Sequence, residues 1–438
     1  GTDIAWADAS GGGVTGLTGL VETDSIWLGS DPSGTTDTAS YNVGLGDEAL
    51  DAITTGDNNT AVGYAAGTAL TTAAGNVMVG ASAGDAITTG SSNVGIGHDA
   101  LGALTTGGGH TAIGRYALDA VTTANYNTAV GYSALSASTT GLQNVAVGVD
   151  AMQASSTAGY TVAVGGQAGY SFTTGNGCVM IGYNAGYAMT TGTNSVFIGQ
   201  SAGDSTTGTI ADNVFIGMDC GQANVSGYNC TGVGKRALYL MTGQGNTAVG
   251  GNAGDSLTSG TRNLCVGWSS DVGAVDAEAQ IAIGYGVTCI ADNTVTFGIS
   301  SNTASLGLDG SDTSWAAASD IRLKDNVEDS LAGLDFINEL RPITYKWKAK
   351  KDVPQDMPEY DDGSDEPCRG TGKTNHGFVA QEVKAIIDKY DSVKDGHNIW
   401  NVADSGTQNV APSALVPMLV KAVQELSAEV EELKKEKN

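Results

Sequence analysis

Large side chains are scarce in this sequence. Aromatics make up 6% of its 438 residues, while Gly occurs 64 times. A conventional core would be thin, so a stack of short strands packed through Ala, Val and Gly suits the composition better. Pro occurs only 7 times, which excludes collagen-like and Pro-rich linker architectures. No apolar run reaches the about 18 residues that mark a membrane-spanning helix, and no signal-peptide pattern is present, so no membrane insertion is expected. The six Cys form no C-x-x-C pair and have no His at metal-ligand spacing. Cys178, Cys230 and Cys265 fall in strand-like positions, so buried free thiols are expected, with no metal and no cofactor.

Basic residues are nearly missing from the first 318 positions. Arg115, Lys235, Arg236 and Arg262 stand there against 24 Asp and Glu, whereas 16 Lys and Arg face 23 acids from Ser319 onward. The shift puts a domain boundary near residue 319. A net charge of −27 argues against nucleic-acid binding, which needs clustered Lys and Arg. It favours solubility.

What is present is repetition. A Gly ends a short apolar segment at 29, 46 and 63, and so on at a spacing of 17 residues to 199; the series continues less strictly to Gly298. Ala stands three residues after most of these (Ala66, Ala83, Ala100), and Thr nine residues after many (Thr72, Thr89, Thr106). The unit reads N-x-A-V-G-x-x-A-x-x-x-x-T-T-G-x-x. One such unit buries too little to fold alone, and stacking makes a continuous core. The reading is a mainly β fold, a parallel β-solenoid with one unit per rung. Asn59-Thr60-Ala61-Val62 alternates as a strand should. Gly63 marks a bend or close backbone approach. Thr-Thr-Gly closes the second corner, with its Gly supplying a positive φ where one is needed. At ~4.8 Å per rung the rod is on the order of 80 Å long. The rung is short and poor in apolar residues, so three chains are expected side by side, each offering its Ala/Val face to the others. The repeat lacks the Asp column of calcium-binding coils. Its Thr column sits at a corner, which argues against an ice-binding ladder.

The segments Asn59–Gly63, Asn127–Gly131 and Asn246–Gly250 resemble the head repeats of trimeric autotransporter adhesins, with a longer period. Further on, S-D-x-R-L-K occupies 319–324, L-x-P-x-x-Y-x-W 340–347 and H-G-x-x-A-Q-E 376–382, before a helical run from Ala414 to Lys437. In this order the motifs resemble the intramolecular-chaperone, auto-processing domain that ends phage tailspikes, tail fibres and endosialidases. The domains expected are an N-terminal attachment segment (1–24), the fibre (25–300), a linker (301–318) and an α+β chaperone domain (319–438).

The resemblance implies a serine autoprotease that acts once, on itself. Ser319 would be the nucleophile, Lys324 the base, and Ala318–Ser319 the bond cut, with Asp320, Arg322, His376 and Gln381 in support. A Ser hydroxyl needs a base to take its proton. A Lys serves only when burial or a cation such as Arg322 lowers its pKa. His98 and His110 vary among the repeats and are expected at the surface. In the last helix Val423 and Val430 share one heptad position, and Leu419, Leu426 and Leu433 another, which marks a seam between subunits with Glu425, Glu429 and Lys434 outside. The expected protein is a homotrimeric tail fibre or tailspike on a virion that binds a glycan or protein receptor on a host cell. Two alternatives stay open. One is a bacterial cell-surface adhesin, although no membrane-anchoring barrel pattern follows the fibre. The other is a glycan-degrading tailspike, although the repeats show no acid pair at fixed register.

Overall fold

The structure is a computed structural model. It describes residues 19–22, 25–29, 38–207, 209–308, 316–317, 321, 324–325, 327–357, 359–370, 372–394, 399–403 and 406–437. It divides into two compact units, Gly1–Ala318 and Ser319–Asn438.

The first unit is a parallel β-solenoid of about fifteen turns. Each turn contributes a short strand, such as Thr60–Val62, paired in register with Val77–Val79 of the next. The stack ends in antiparallel strands at both ends. Gly19–Glu22 pairs with Ser25–Gly29, and Asn302–Gly307 folds back on Thr294–Ile299. Such caps occupy edges that would otherwise template further pairing. Ala316–Ala317 then pairs with Ala304 and Ser305.

The repeat consensus is explained position by position. Asn59 is fully buried, so its carboxamide must be satisfied inside. Its N–H donates to Asn42 Oδ1 at 2.8 Å, and its Nδ2 donates to the Ala73 carbonyl at 2.9 Å. Asn76 and Asn93 repeat both contacts. A hydrogen bond of this kind is worth about 1 kcal/mol, and the ladder recurs on rung after rung. At the Thr-Thr corner, Thr71 Oγ1 donates to the Thr88 carbonyl at 3.0 Å, and Thr88 passes the contact to Thr105 at 3.2 Å.

Gly63 has φ +136°, and a Cβ there would lie 2.5 Å from the Gly80 carbonyl oxygen. Backbone conformation and rung spacing both demand Gly. The Gly after Thr-Thr takes a positive φ in some rungs only, as at Gly175 (φ +149°). Gly107 is not left-handed; a Cβ there would come 2.0 Å from the Ala124 carbonyl oxygen, so close approach alone excludes a side chain.

The inward face also differs from expectation. Ala61 and Ala66 are fully buried within a single chain, around Leu70, while Thr60 and Val62 point outward. The Ala columns therefore line the rung's own core and are not offered to neighbouring chains. In several rungs the strand centre and the turn share core volume. At the small strand centres Ala112 and Ala129 a Leu fills the space, Leu118 and Leu135. Where it is Phe197 or Phe215, Gly203 or Gly221 stands in the equivalent place, and a Cβ at Gly221 would sit 2.5 Å from the Phe215 ring. The two Phe rings stack at 5.4 Å.

His98 is half exposed and pairs with Asp99 at 2.5 Å. His110, expected at the surface, is buried, because it takes the place of Asn in the polar ladder. Cys178, Cys220, Cys230, Cys265 and Cys289 are buried free thiols. Burial pushes Cys220 and Cys265 up to about 12, which keeps them protonated and unreactive.

Among its described residues the second unit packs four α-helices, α1 (Leu334–Glu339), α2 (Ala380–Ile387), α3 (Asp391–Lys394) and α4 (Val416–Glu436), with two small antiparallel sheets. One sheet pairs Ile343–Tyr345 with Asn375–Gly377, and the other pairs Trp400–Val402 with Gln408–Val410. Phe336, Val383, Ile387, Ile399 and Leu415 form its core.

Candidate functional site

The three motifs of the second unit meet in part. Thr344 pairs with His376 and Ile343 with Gly377, so the Pro-entered strand and the His-Gly strand form one ladder. Tyr345 and Trp347 meet edge to face at 5.2 Å. A Cβ on Gly377 would lie 3.3 Å from Tyr345, so Gly at this position lets the ring pack. Leu340 turns the chain out of α1 into the core. Arg341, next along, donates Nε to Glu382 Oε2 at 2.9 Å and holds the other carboxylate oxygen as well. That guanidinium keeps Glu382 below the usual carboxylate range. The Arg341–Glu382 fork ties the two motifs together, and spacing alone did not reveal it.

Beside this junction lies a cavity of about 640 Å³. Tyr345, Trp347, Arg369, His376, Gln381 and Asn409 are among its lining residues. Arg369 also lies over the Trp347 ring, 5.6 Å from its centroid, and pairs with Glu359. The structure thus brings His376 and Gln381 to one cavity. Lys324 is exposed, with its N–H donating to the Ile321 carbonyl at 3.1 Å. Ala318, Ser319, Asp320 and Arg322 lie outside the described residues. Among the described residues no group of His, Cys, Asp and Glu is arranged to hold a metal.

α4 has two faces. Ala422 is its buried residue. Glu425, expected outside, accepts the Leu334 N–H at 2.7 Å and so caps α1, whose own N-cap position, Gly333, has no side chain to offer. On the other face Leu419, Val423, Leu426, Val430 and Leu433 are all exposed. Their spacing of alternating four and three residues is that of a coiled-coil seam.

Residues 319–391 match the family model described as chaperone of endosialidase. No curated protein and no solved structure matches the chain. The chaperone-of-endosialidase match takes in all three motifs, from Ser319 through Glu382. It supports an intramolecular chaperone of the self-cleaving serine type. Together with the solenoid of stacked 17-residue turns it fits an endosialidase-type tail fibre with a C-terminal chaperone domain.

Proposed function

We propose that this chain is the subunit of a homotrimeric phage tail fibre that attaches to a host-cell receptor, and that its chaperone domain aligns three chains and then cuts itself free. The observation that carries the reading is the chaperone match on a chain whose other part is a monotonous stack. Near-identical rungs can pair one step out of register, so three fibres need a common starting point. The exposed heptad stripe of α4 supplies a surface on which three copies meet. Two and a half heptads do not set the number of strands on their own; the trimer rests on the family.

The cleavage proposed runs through Ser319 and Lys324. Lys324 takes the Ser319 hydroxyl proton, and Oγ adds to the Ala318 carbonyl carbon. The C–N bond breaks, and the Ser319 nitrogen leaves as an amine carrying the proton that Lys324 returns. Water then hydrolyses the Ala318–Ser319 ester to a carboxylate and the free hydroxyl. A lysine acts as base only when desolvated or crowded by a cation. Lys324 is exposed in the single chain, which fits cleavage that waits for assembly. Ala316–Ala317 is held in a strand immediately before the bond. Release of the aligning domain would make unzipping kinetically hard.

The test is a denaturing gel of the full chain beside Ser319→Ala and Lys324→Ala. The wild type should give two fragments matching the units Gly1–Ala318 and Ser319–Asn438, and both variants should stay whole. An intact wild type in a trimeric sample, or a cleaved Lys324→Ala, would overturn the dyad.

A further inference from the structure

Parallel sheets are normally covered on both faces, and a sheet with one wet face normally shows polar residues there. The solenoid sheet follows neither pattern. Its inner face is closed by buried residues such as Ala61, Met78 and Ala112. Its outer face carries two columns, one on each side of every strand centre. The first, from Val43 to Ile281, contains only Val, Thr, Leu and Ile; the second, from Leu45 to Ile283, contains only Leu, Val and Ile. Neither column holds a charge. Ile96, Ile113, Ile181 and Ile216 are each 37% exposed in the single chain. The edges of the face carry exposed aromatics, Tyr126 on one side and Tyr132 and Tyr183 on the other, a residue type that interfaces favour.

About fifteen rungs at ~4.8 Å make this strip ~70 Å long, and two columns with their side chains make it ~10 Å wide. An apolar strip of ~700 Å² exceeds what single-chain proteins usually expose. We infer that this face is the fibre's own assembly surface, buried against the same face of two further copies of the chain. The inference rests on the trimer proposed above and assigns it a location, which the Ala face cannot supply. A partner must offer an uncharged, mostly apolar run with the same rise per rung, and a second copy does so by construction. The absence of charge leaves nothing to select a polyanion or a charged peptide. Three such strips bury ~2,100 Å² in total, at the upper end of what a stable interface needs.

The test uses the full chain carrying Cys368→Ser, which removes the cysteine that is not buried. Val79→Cys, Ile113→Cys and Val147→Cys are introduced singly and oxidised mildly. Each should give a disulfide-linked dimer on a non-reducing gel, while Ala137→Cys, on an exposed corner, should give none. Ile96→Asp with Ile113→Asp should lower the trimer fraction in mass photometry at least tenfold with the far-ultraviolet dichroism unchanged, because both side chains point outward. Trimers whose outer-face cysteines do not cross-link, and which tolerate the two Asp, would overturn the assignment of this face while leaving the trimer intact. A monomeric wild-type chain would overturn the trimer itself.

Discussion

The backbone N–H of Asn127 donates to Nδ1 of His110 at 3.2 Å. On the other side of the ring, Nε2 lies 2.8 Å from the Ala124 carbonyl. The ring nitrogens therefore do the work of Oδ1 and Nδ2 in the Asn ladder, one accepting and the other donating. Only the neutral tautomer with hydrogen on Nε2 does both. Burial pushes the His110 pKa below its ordinary 6.5.

A histidine whose folded pKa is depressed contributes stability that is complete above its unfolded value. That stability is lost as pH falls from about 6.5 through the lower folded value. Carboxylates such as Asp85 and Asp119 are shifted up, first by burial and then by neighbouring Asp, so they act in the opposite direction. The informative quantity is the difference between wild type and His110→Asn, in which the carboxylates cancel. In urea unfolding at pH 7.5, 6.5, 5.5 and 4.5 (values spanning the unfolded pKa), the wild type should lose ground on His110→Asn as pH falls below about 6.5. A constant difference would show that His110 does not titrate in this window.

The second expectation concerns core volume. Phe215 fills its rung only because Gly221 leaves room, whereas Ala129 is matched by Leu135. Phe215→Ala should cost about 3–5 kcal/mol through the cavity it opens. Gly221→Leu alone should also destabilise, by about 1–3 kcal/mol, because the added side chain meets the Phe215 ring. The double variant recreates the Ala–Leu pairing of other rungs. Its denaturation midpoint should lie above that of either single variant; a midpoint below both would show that the two positions do not share one space.

Much of this architecture was legible because each rung repeats the same constraint. The glycine column and the one-unit rung follow from spacing that a stack must keep, whereas the Thr corner is itself a strand in three rungs, where Thr174–Asn176, Thr191–Thr193 and Thr209–Ala211 form a second parallel sheet. Which side of the strand faces in was not legible. Ala61 and Val62 are both apolar and alternate, so period alone separates the faces without ranking them. The ranking came from Leu70 and Asn59, which complete a core inside one chain. His110 was misplaced because a His in an Asn column looks like surface variation until its two ring nitrogens are seen to repeat the carboxamide contacts. The capping role of Glu425 was not legible because the N–H it caps belongs to Leu334, 91 residues away. In the chaperone unit the motifs were readable as an ordered set, while the cavity shared by His376 and Gln381 depends on the pairing of Thr344 with His376, 32 residues apart, which no local pattern encodes.

The last expectation tests the stack as a stack. Rungs touch only their neighbours, so removing a whole one should leave every remaining contact type available. Deleting Thr128 through Asn144 joins Asn127 to Val145. Asn144 Oδ1 accepts the Thr161 N–H at 3.0 Å, and its Nδ2 donates to the Ala158 carbonyl at 2.7 Å. Asn127 makes the equivalent bonds to Asn144 N–H and the Gly141 carbonyl, so after the deletion it is placed to take over both. Natural spacings of 18 between Gly199 and Gly217 and of 16 between Gly234 and Gly250 already occur while the strands stay in register. The shortened chain should fold, assemble and show a midpoint within about 1 kcal/mol of wild type. Deleting only Thr128 through Ser136 removes the strand and its glycine but leaves the Thr corner, so the ladder cannot close and the chain should be insoluble or lose its β-sheet dichroism. Equal tolerance of the two deletions would mean that the 17-residue register does not hold the stack together.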